Sequence, residues 1–256
     1  MTNTPAPIAL VTGGANGIGA AAAAALSKRG FRVVISDVLA PDPGILSGDV
    51  EFVEHDVSSE TSWNSVVDSI VHKHGAIDAL VNAAGIQGDV ERGSLELTTL
   101  DAWHKVLGVN LDGTFLGCKT VMPVMKANGG GSIVNVSSLA AFYPTTYSVA
   151  YGASKGAVAQ LTKTVAAVGS DGEVKVRCNS VHPGIIATRM IDAIGAGLKE
   201  DDSRAAAAAQ YFARIPLGRA GSPDEAASVI AFLASDEASY ITGSEYVVDG
   251  GSRLQR

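Results

Sequence analysis

Short apolar runs alternate with longer helix-forming stretches along the whole chain, and this alternation restricts the fold more than any single motif. Seven runs read as strands: "PIALVTGG", "FRVVISD", "VEFVEHDV", "IDALVNAAG", "SIVNVSS", "VKVRCNSVHPG" and "GSEYVVDGG". Between them lie helix formers such as "IGAAAAAALSKRG", "SETSWNSVVDSIVHKHG" and "VAYGASKGAVAQLTKTVAAVG". The stretch from Thr99 to Gly131 carries a long helix. A strand that leads into a helix and then a second strand builds a parallel pair, because the helix carries the chain back over the sheet. The pattern therefore predicts an α/β fold, a single doubly wound Rossmann-type domain over 1–256. It has a seven-stranded parallel sheet with helices on both faces. The least regular stretch, 185–219, follows a strand end, where doubly wound folds bind ligands, and reads as a substrate-binding lid.

Charge narrows what such a domain would bind. The 256 residues carry a formal charge of -7. Such a surface argues against nucleic acid or an anionic membrane as the main partner. No apolar run reaches membrane-spanning length, and "MTNTPAPIAL" lacks the basic-then-apolar order of a signal peptide, so a cytoplasmic location is expected. Cys118 and Cys178 are expected reduced and buried. The five histidines are scattered over separate elements and no H-E-x-x-H motif or cysteine cluster occurs, so no metal is expected.

The first strand opens into "TGGANGIG", with Gly13, Asn16, Gly17, Ile18 and Gly19 at the mouth of a helix. Bare backbone there lets a pyrophosphate approach the free N–H groups of the first helical turn. The spacing is G-x-x-x-G-x-G and lacks the G-K-[ST] ending of an ATP-binding loop. Asp37 closes the second strand. A carboxylate there accepts hydrogen bonds from adenosine ribose hydroxyls and repels a 2′-phosphate, which points to NAD rather than NADP. Asp56 and Val57 close the third strand, where the carboxylate and backbone suit the adenine. "NAAG", with Asn82, Ala83 and Gly85, closes the fourth. Taken singly, these strand-end residues read equally well as structural.

Tyr151 and Lys155 in "YGASK" stand four apart and share a helix face. An ammonium beside a phenol favours the phenolate, which suits Tyr151 to general acid/base work. Ser138 is placed to hydrogen-bond a substrate oxygen. The same spacing also fits a solvated helix face, and the serines also fit a turn cap.

Together these stretches resemble the short-chain dehydrogenase/reductase family of the common single-domain type. The likeness rests on the glycine motif, Asp56, "NAAG", Asn110 in "VNLDG", Ser138, "YGASK" and "PGIIAT", in order over nearly the whole chain. The resemblance implies a catalytic tetrad of Asn110, Ser138, Tyr151 and Lys155, with Ser138 chosen over Ser137 by its distance from the tyrosine. It also implies that Pro183, Gly184, Ile186 and Thr188 lie beside the nicotinamide. "NAAG" carries Ala83 where the family more often has a second asparagine. Family members are usually homotetramers built through two long helices. The small residues Gly113, Gly117, Ala153 and Ala157 fit that packing.

The substrate wall is expected from 87–97, 139–147 and 185–212, with Leu139, Phe142, Tyr143, Met190, Ile191 and Ile194 making it largely apolar. That favours an uncharged secondary alcohol or its ketone, alicyclic or steroid-like. A 3-oxoacyl-thioester reductase, a dinucleotide-sensing protein without turnover, and a lyase or epimerase with bound NAD are the rival readings.

Overall fold

The computed structural model describes residues 5–46, 50–188 and 215–254. Seven strands form one sheet: β1 (Ile8–Thr12), β2 (Arg32–Asp37), β3 (Val50–Glu54), β4 (Ala79–Asn82), β5 (Gly131–Val136), β6 (Val176–Pro183) and β7 (Glu245–Val248). Their spatial order is β3-β2-β1-β4-β5-β6-β7 and every pairing is parallel. The doubly wound, seven-stranded expectation is met. Central strands carry apolar residues on both faces because both sheet faces are covered, and successive side chains point to opposite layers. Leu10, Leu80 and Ile133 enter one layer with Trp63, Val121 and Met125. Their neighbours Val11, Val81 and Val134 enter the other with Leu26, Ile230 and Leu233. Val81 pairs with both Val11 and Val134, so the second layer runs unbroken across three strands.

Among the described residues the α-helices are α1 (Gly17–Lys28), α2 (Glu60–His74), α3 (Leu100–Leu107), α4 (Gly113–Ala127), α5 (Val149–Gly169) and α6 (Pro223–Ala234). On one face α1 packs against α6 through Ala22, Ala23, Ala226 and Ala227, whose small side chains allow a close approach. On the other, α2, α4 and α5 cover the sheet. Polar caps fix where helices begin: the Ser59 hydroxyl accepts from the Ser62 N–H at 3.2 Å, and the Glu225 carboxylate accepts from the Ser222 N–H at 2.8 Å.

The long helix expected between β4 and β5 is not uniform. It widens into a π turn over Gly108–Asp112 between α3 and α4, and Asn110 lies in that turn. Such a turn re-aims a side chain without ending the helix.

The chain moves outward from β1 to β3, then returns to lay β4 on the other side of β1. The loops after β1 and β4 therefore part, and a crevice opens at the carboxyl ends of the strands. The expected lid over 185–219 falls mostly on 189–214, including Met190, Ile191 and Ile194, which lie outside the described residues.

Candidate active site

A cavity of about 950 Å³ occupies this crevice. Gly13 to Gly19 form its floor on the β1 side. A Cβ on Gly19 would lie 2.1 Å from the Gly13 carbonyl oxygen, and Gly13 itself adopts φ +67°. Both positions exclude ordinary side chains. The first turn of α1 holds no acidic residue, and the Asn16 side chain does not cap it. Its N–H groups therefore face the cavity ready for an anion. Asp37 stands at the rim, where its Oδ2 accepts the Ala15 N–H at 3.1 Å and its Oδ1 the Leu39 N–H at 3.1 Å. The carboxylate thus ties the glycine turn to the end of β2. Asp56 is exposed at the same end, accepts from the Ser58 N–H and hydroxyl at 2.9 and 2.7 Å, and has its pKa lowered by those bonds. Val57 is buried beside it.

His55 also lines this end and escaped the sequence reading. Its Nδ1 lies 3.0 Å from the Ser36 hydroxyl, and burial lowers its pKa to about 4, so the ring is neutral at physiological pH.

The chemical side is assembled from β5, α5 and the π turn. Ser138 and Tyr151 both face the cavity and hydrogen-bond each other through their side chains. The Ser138 hydroxyl also accepts the Ala140 N–H at 3.1 Å, capping a short 3-10 turn. Ser137 turns the other way and donates to the Lys155 carbonyl at 2.8 Å, which fastens β5 to α5. Lys155 is buried, donates to the Val136 carbonyl at 2.8 Å, and holds its Nζ 5.7 Å from the centre of the Tyr151 ring. Asn110 sits behind this group. It accepts the Ile86 N–H at 2.8 Å and donates to the Ile86 carbonyl at 2.9 Å and to Ser154 at 3.0 Å. A Cβ on Gly85 would lie 3.3 Å from Asn110 Oδ1 and 3.4 Å from Lys155 Nζ, so the glycine packs close against both groups.

Burial decides the charges. It lowers Lys155 to about 8. Lost hydration raises the Tyr151 pKa, the Ser138 hydrogen bond opposes that rise, and Tyr147 adds to it. The expected pull of Lys155 on Tyr151 toward phenolate is not among the causes, so in the protein by itself the phenol keeps its proton at neutral pH.

Most residues singled out from the sequence share this cavity. Ala83 and Gly85 line it below, and Pro183, Gly184, Ile186 and Thr188 line it beside Lys155. Two asparagines do not. Asn110 lies behind the wall, and the Asn82 side chain points into the core, donating to Asn135 at 2.9 Å. The substrate wall carries Gln87, Leu139, Tyr143 and Tyr147 as expected, with Ile215 and Ser252 in addition. Phe142 does not line it and instead stacks between His182 and Arg253. No group of three or more metal-ligating residues occurs among the described residues. Cys118 and Cys178 are buried, free thiols, and burial raises Cys178 well above the usual thiol value.

Gly113 and Gly117, expected to fit subunit packing, lie inside the chain itself. Both are buried within the chain, where a Cβ would meet Val57 and Trp63. They let α4 approach Val57, which follows β3, and Trp63 of α2.

The family model described as "Enoyl-(Acyl carrier protein) reductase" matches residues 13–253. The chain belongs to the short-chain dehydrogenase/reductase family. Trans-4-hydroxycyclohexanecarboxylate dehydrogenase of Sinomonas cyclohexanicum is 39% identical over 95% of this chain and 92% of its own length. The NADP-dependent (R)-specific alcohol dehydrogenase of Lentilactobacillus kefiri is 38% identical over 97% of each. Ligand-free aldohexose dehydrogenase of Thermoplasma acidophilum superposes with a TM-score of 0.88 at 34% identity, over 98% of this chain and 95% of that one. Short-chain dehydrogenases use nicotinamide cofactors. The bare glycine floor and uncapped helix N-terminus fit the pyrophosphate of such a group. No helix among the described residues is long and apolar enough to cross a membrane.

Proposed function

We propose that the chain is an NAD-dependent dehydrogenase that interconverts an uncharged, alicyclic or steroid-like secondary alcohol and its ketone. The observation that carries this reading is a single cavity that joins the glycine turn and Asp37 at one end to Ser138, Tyr151 and Lys155 at the other. NAD, when bound, accepts or returns the hydride.

The chain's residues handle the proton and the oxygen. Ser138 orients the substrate oxygen by hydrogen bonding and stabilises the charge that grows on it. Tyr151 gives its phenolic proton to the ketone oxygen in reduction and takes one from the alcohol in oxidation. Lys155 supplies positive charge beside the phenol and reaches toward ribose hydroxyls, while Asn110 holds the backbone of Ile86 and the α5 side chain of Ser154 behind it. Asp37 accepts from the adenosine ribose. The apolar wall, lined among the described residues by no lysine or arginine other than Lys155, favours an uncharged substrate. The cyclic alcohol in the name of the Sinomonas relative supports the alicyclic part. A homotetramer in the cytoplasm belongs to the same reading, with the exposed Phe115 on α4 available to a second copy.

The test follows absorbance at 340 nm with cyclic alcohols, hydroxysteroids and a 3-hydroxyacyl thioester, each with NAD and with NADP. NAD reduction with a cyclic alcohol is expected, and Tyr151→Phe should cut it about 10³-fold while leaving dinucleotide binding intact. Because burial keeps the phenol protonated, oxidation should rise with pH and ketone reduction should hold level through neutrality. Turnover of the thioester alone, or full activity in Tyr151→Phe, would sink the proposal.

A further inference from the structure

We infer that His182 is a positioning residue for Ser138, held in place through Phe142 by the C-terminal turn at Ser252–Leu254. The inference rests on the proposed role of Ser138.

His182 lies in β6 with no exposed surface. Its Nδ1 is 3.1 Å from the Ser138 carbonyl oxygen. A carbonyl only accepts, so Nδ1 must carry the proton. Its Nε2 is then left to accept from the Ser180 hydroxyl, 2.8 Å away. Both nitrogens are committed and the tautomer is set by geometry. Such a ring has no proton to trade, but it pins the peptide plane that follows Ser138. The same carbonyl also accepts the Ala141 N–H at 3.1 Å within the three-residue 3-10 turn, and the His182 bond adds a tie to it from β6.

The ring is itself held. Phe142 lies against it with centroids 4.7 Å apart and planes tilted by 34°. The Arg253 guanidinium sits 4.1 Å from the Phe142 ring centre. Tyr143 donates to the Arg253 carbonyl at 2.9 Å, and Asp249 accepts the Arg253 N–H at 2.7 Å. A column therefore runs from the last described turn, through Arg253, Phe142 and His182, to Ser138. The same turn supplies Ser252 to the cavity wall, so the substrate wall and the serine share one support.

The column is tested in the full chain with NAD and cyclohexanol as probes. His182→Asn keeps an N–H at the same number of bonds from Cα as Nδ1, whereas His182→Phe keeps a ring for Phe142 and loses the donor. His182→Phe should lower kcat about 10–100-fold, the scale of a small misplacement of a reacting group, with the KM for NAD unchanged. His182→Asn should stay within about threefold of the parent, and on a Ser138→Ala background His182→Phe should cost less than about twofold more. Equal losses in the Asn and Phe variants, or an undiminished cost of His182→Phe on that background, would overturn the inference.

Ser138→Ala with full turnover would overturn the proposed function instead. A second readout needs no turnover and spares the core. In chain labelled with ¹⁵N-histidine, the His182 Nδ1–H should exchange slowly with water, and Arg253→Ala should speed that exchange about tenfold or more. Exchange unmoved by Arg253→Ala would refute the column even in a chain that leaves cyclohexanol untouched.

Discussion

At the β1 end of the crevice the chain presents backbone, and at the β5 end it presents side chains. Gly13, Gly17 and Gly19 clear space so that N–H groups can meet a ligand, and Asp37 steadies the turn they form. Across the cavity, Lys155, Ser154 and Asn110 are buried polar side chains, each with hydrogen-bond partners, behind Ser138 and Tyr151. The first end binds by shape and should tolerate no added atoms. The second holds charge and polarity where water is scarce, which costs folding energy. The same kind of substitution should therefore act in opposite directions on stability at the two ends.

The largest effect is expected from Gly19→Val. Its Cβ would collide with the Gly13 carbonyl, a backbone atom that cannot swing aside. Dinucleotide affinity should fall beyond detection, and thermal unfolding should drop by several degrees, read by calorimetry with and without NAD. A variant that still binds NAD within tenfold of the parent would show that the floor is not built by close backbone approach.

Lys155→Met should lose about 10³-fold in turnover and gain stability. Burial lowers Lys155 from 10.5 to about 8. At pH 7, below both values, the folded protein carries a buried ammonium and bears its full cost. As pH rises through 8 the folded state releases that proton before the unfolded chain does, and the cost fades toward 10.5. The Val136 carbonyl loses its donor in the variant, which offsets part of the gain. The net gain should be about 1–3 kcal/mol at pH 7 and shrink steadily above pH 8. A gain that grows with pH would contradict the burial cost.

These two ends also differ in how much of them can be read from the sequence. The cofactor end is written in short stretches: a strand, a glycine turn and a helix within Ile8–Gly19, then a carboxylate where the next strand stops. Tyr151 and Lys155 are legible for the same local reason, a shared helix face. Ser138 and Asn110 sit on other elements that only the fold brings to α5; the residues hinted at Ser138, and resemblance fixed its choice over Ser137 and alone picked out Asn110. That Gly113 and Gly117 face their own chain is not legible, because a small residue on a helix looks the same whether it faces its own chain or another. The inward turn of the Asn82 side chain toward Asn135 is not legible either, because a strand-end position does not say which way the side chain points. The contribution of Ser252, and the link from Tyr143 to Arg253 across 110 residues, leave no local mark at all.

Asp37→Ala separates the two ends most finely, because it should change recognition without touching chemistry. Both Asp37 oxygens accept backbone N–H groups, and the next residues, Val38 and Leu39, are exposed and apolar, so no neighbouring side chain can take over the task. Removing the carboxylate loosens the glycine turn and deletes the acceptor for the adenosine ribose. Two hydrogen bonds to a charged group at this rim correspond to a rise in the KM for NAD of about 10–100-fold. The same change removes a negative charge that repels a 2′-phosphate, so NADP should lose less than NAD or improve, moving the preference toward NADP by about 100-fold or more. The kcat at saturating cofactor should stay within about threefold of the parent, since nothing at Ser138, Tyr151 or Lys155 has moved. Paired kcat and KM values for both dinucleotides decide the matter. A lowered kcat with an unchanged NAD preference would mean that Asp37 acts on the chemical end, and that the division between a backbone-built binding end and a side-chain-built reacting end is wrong.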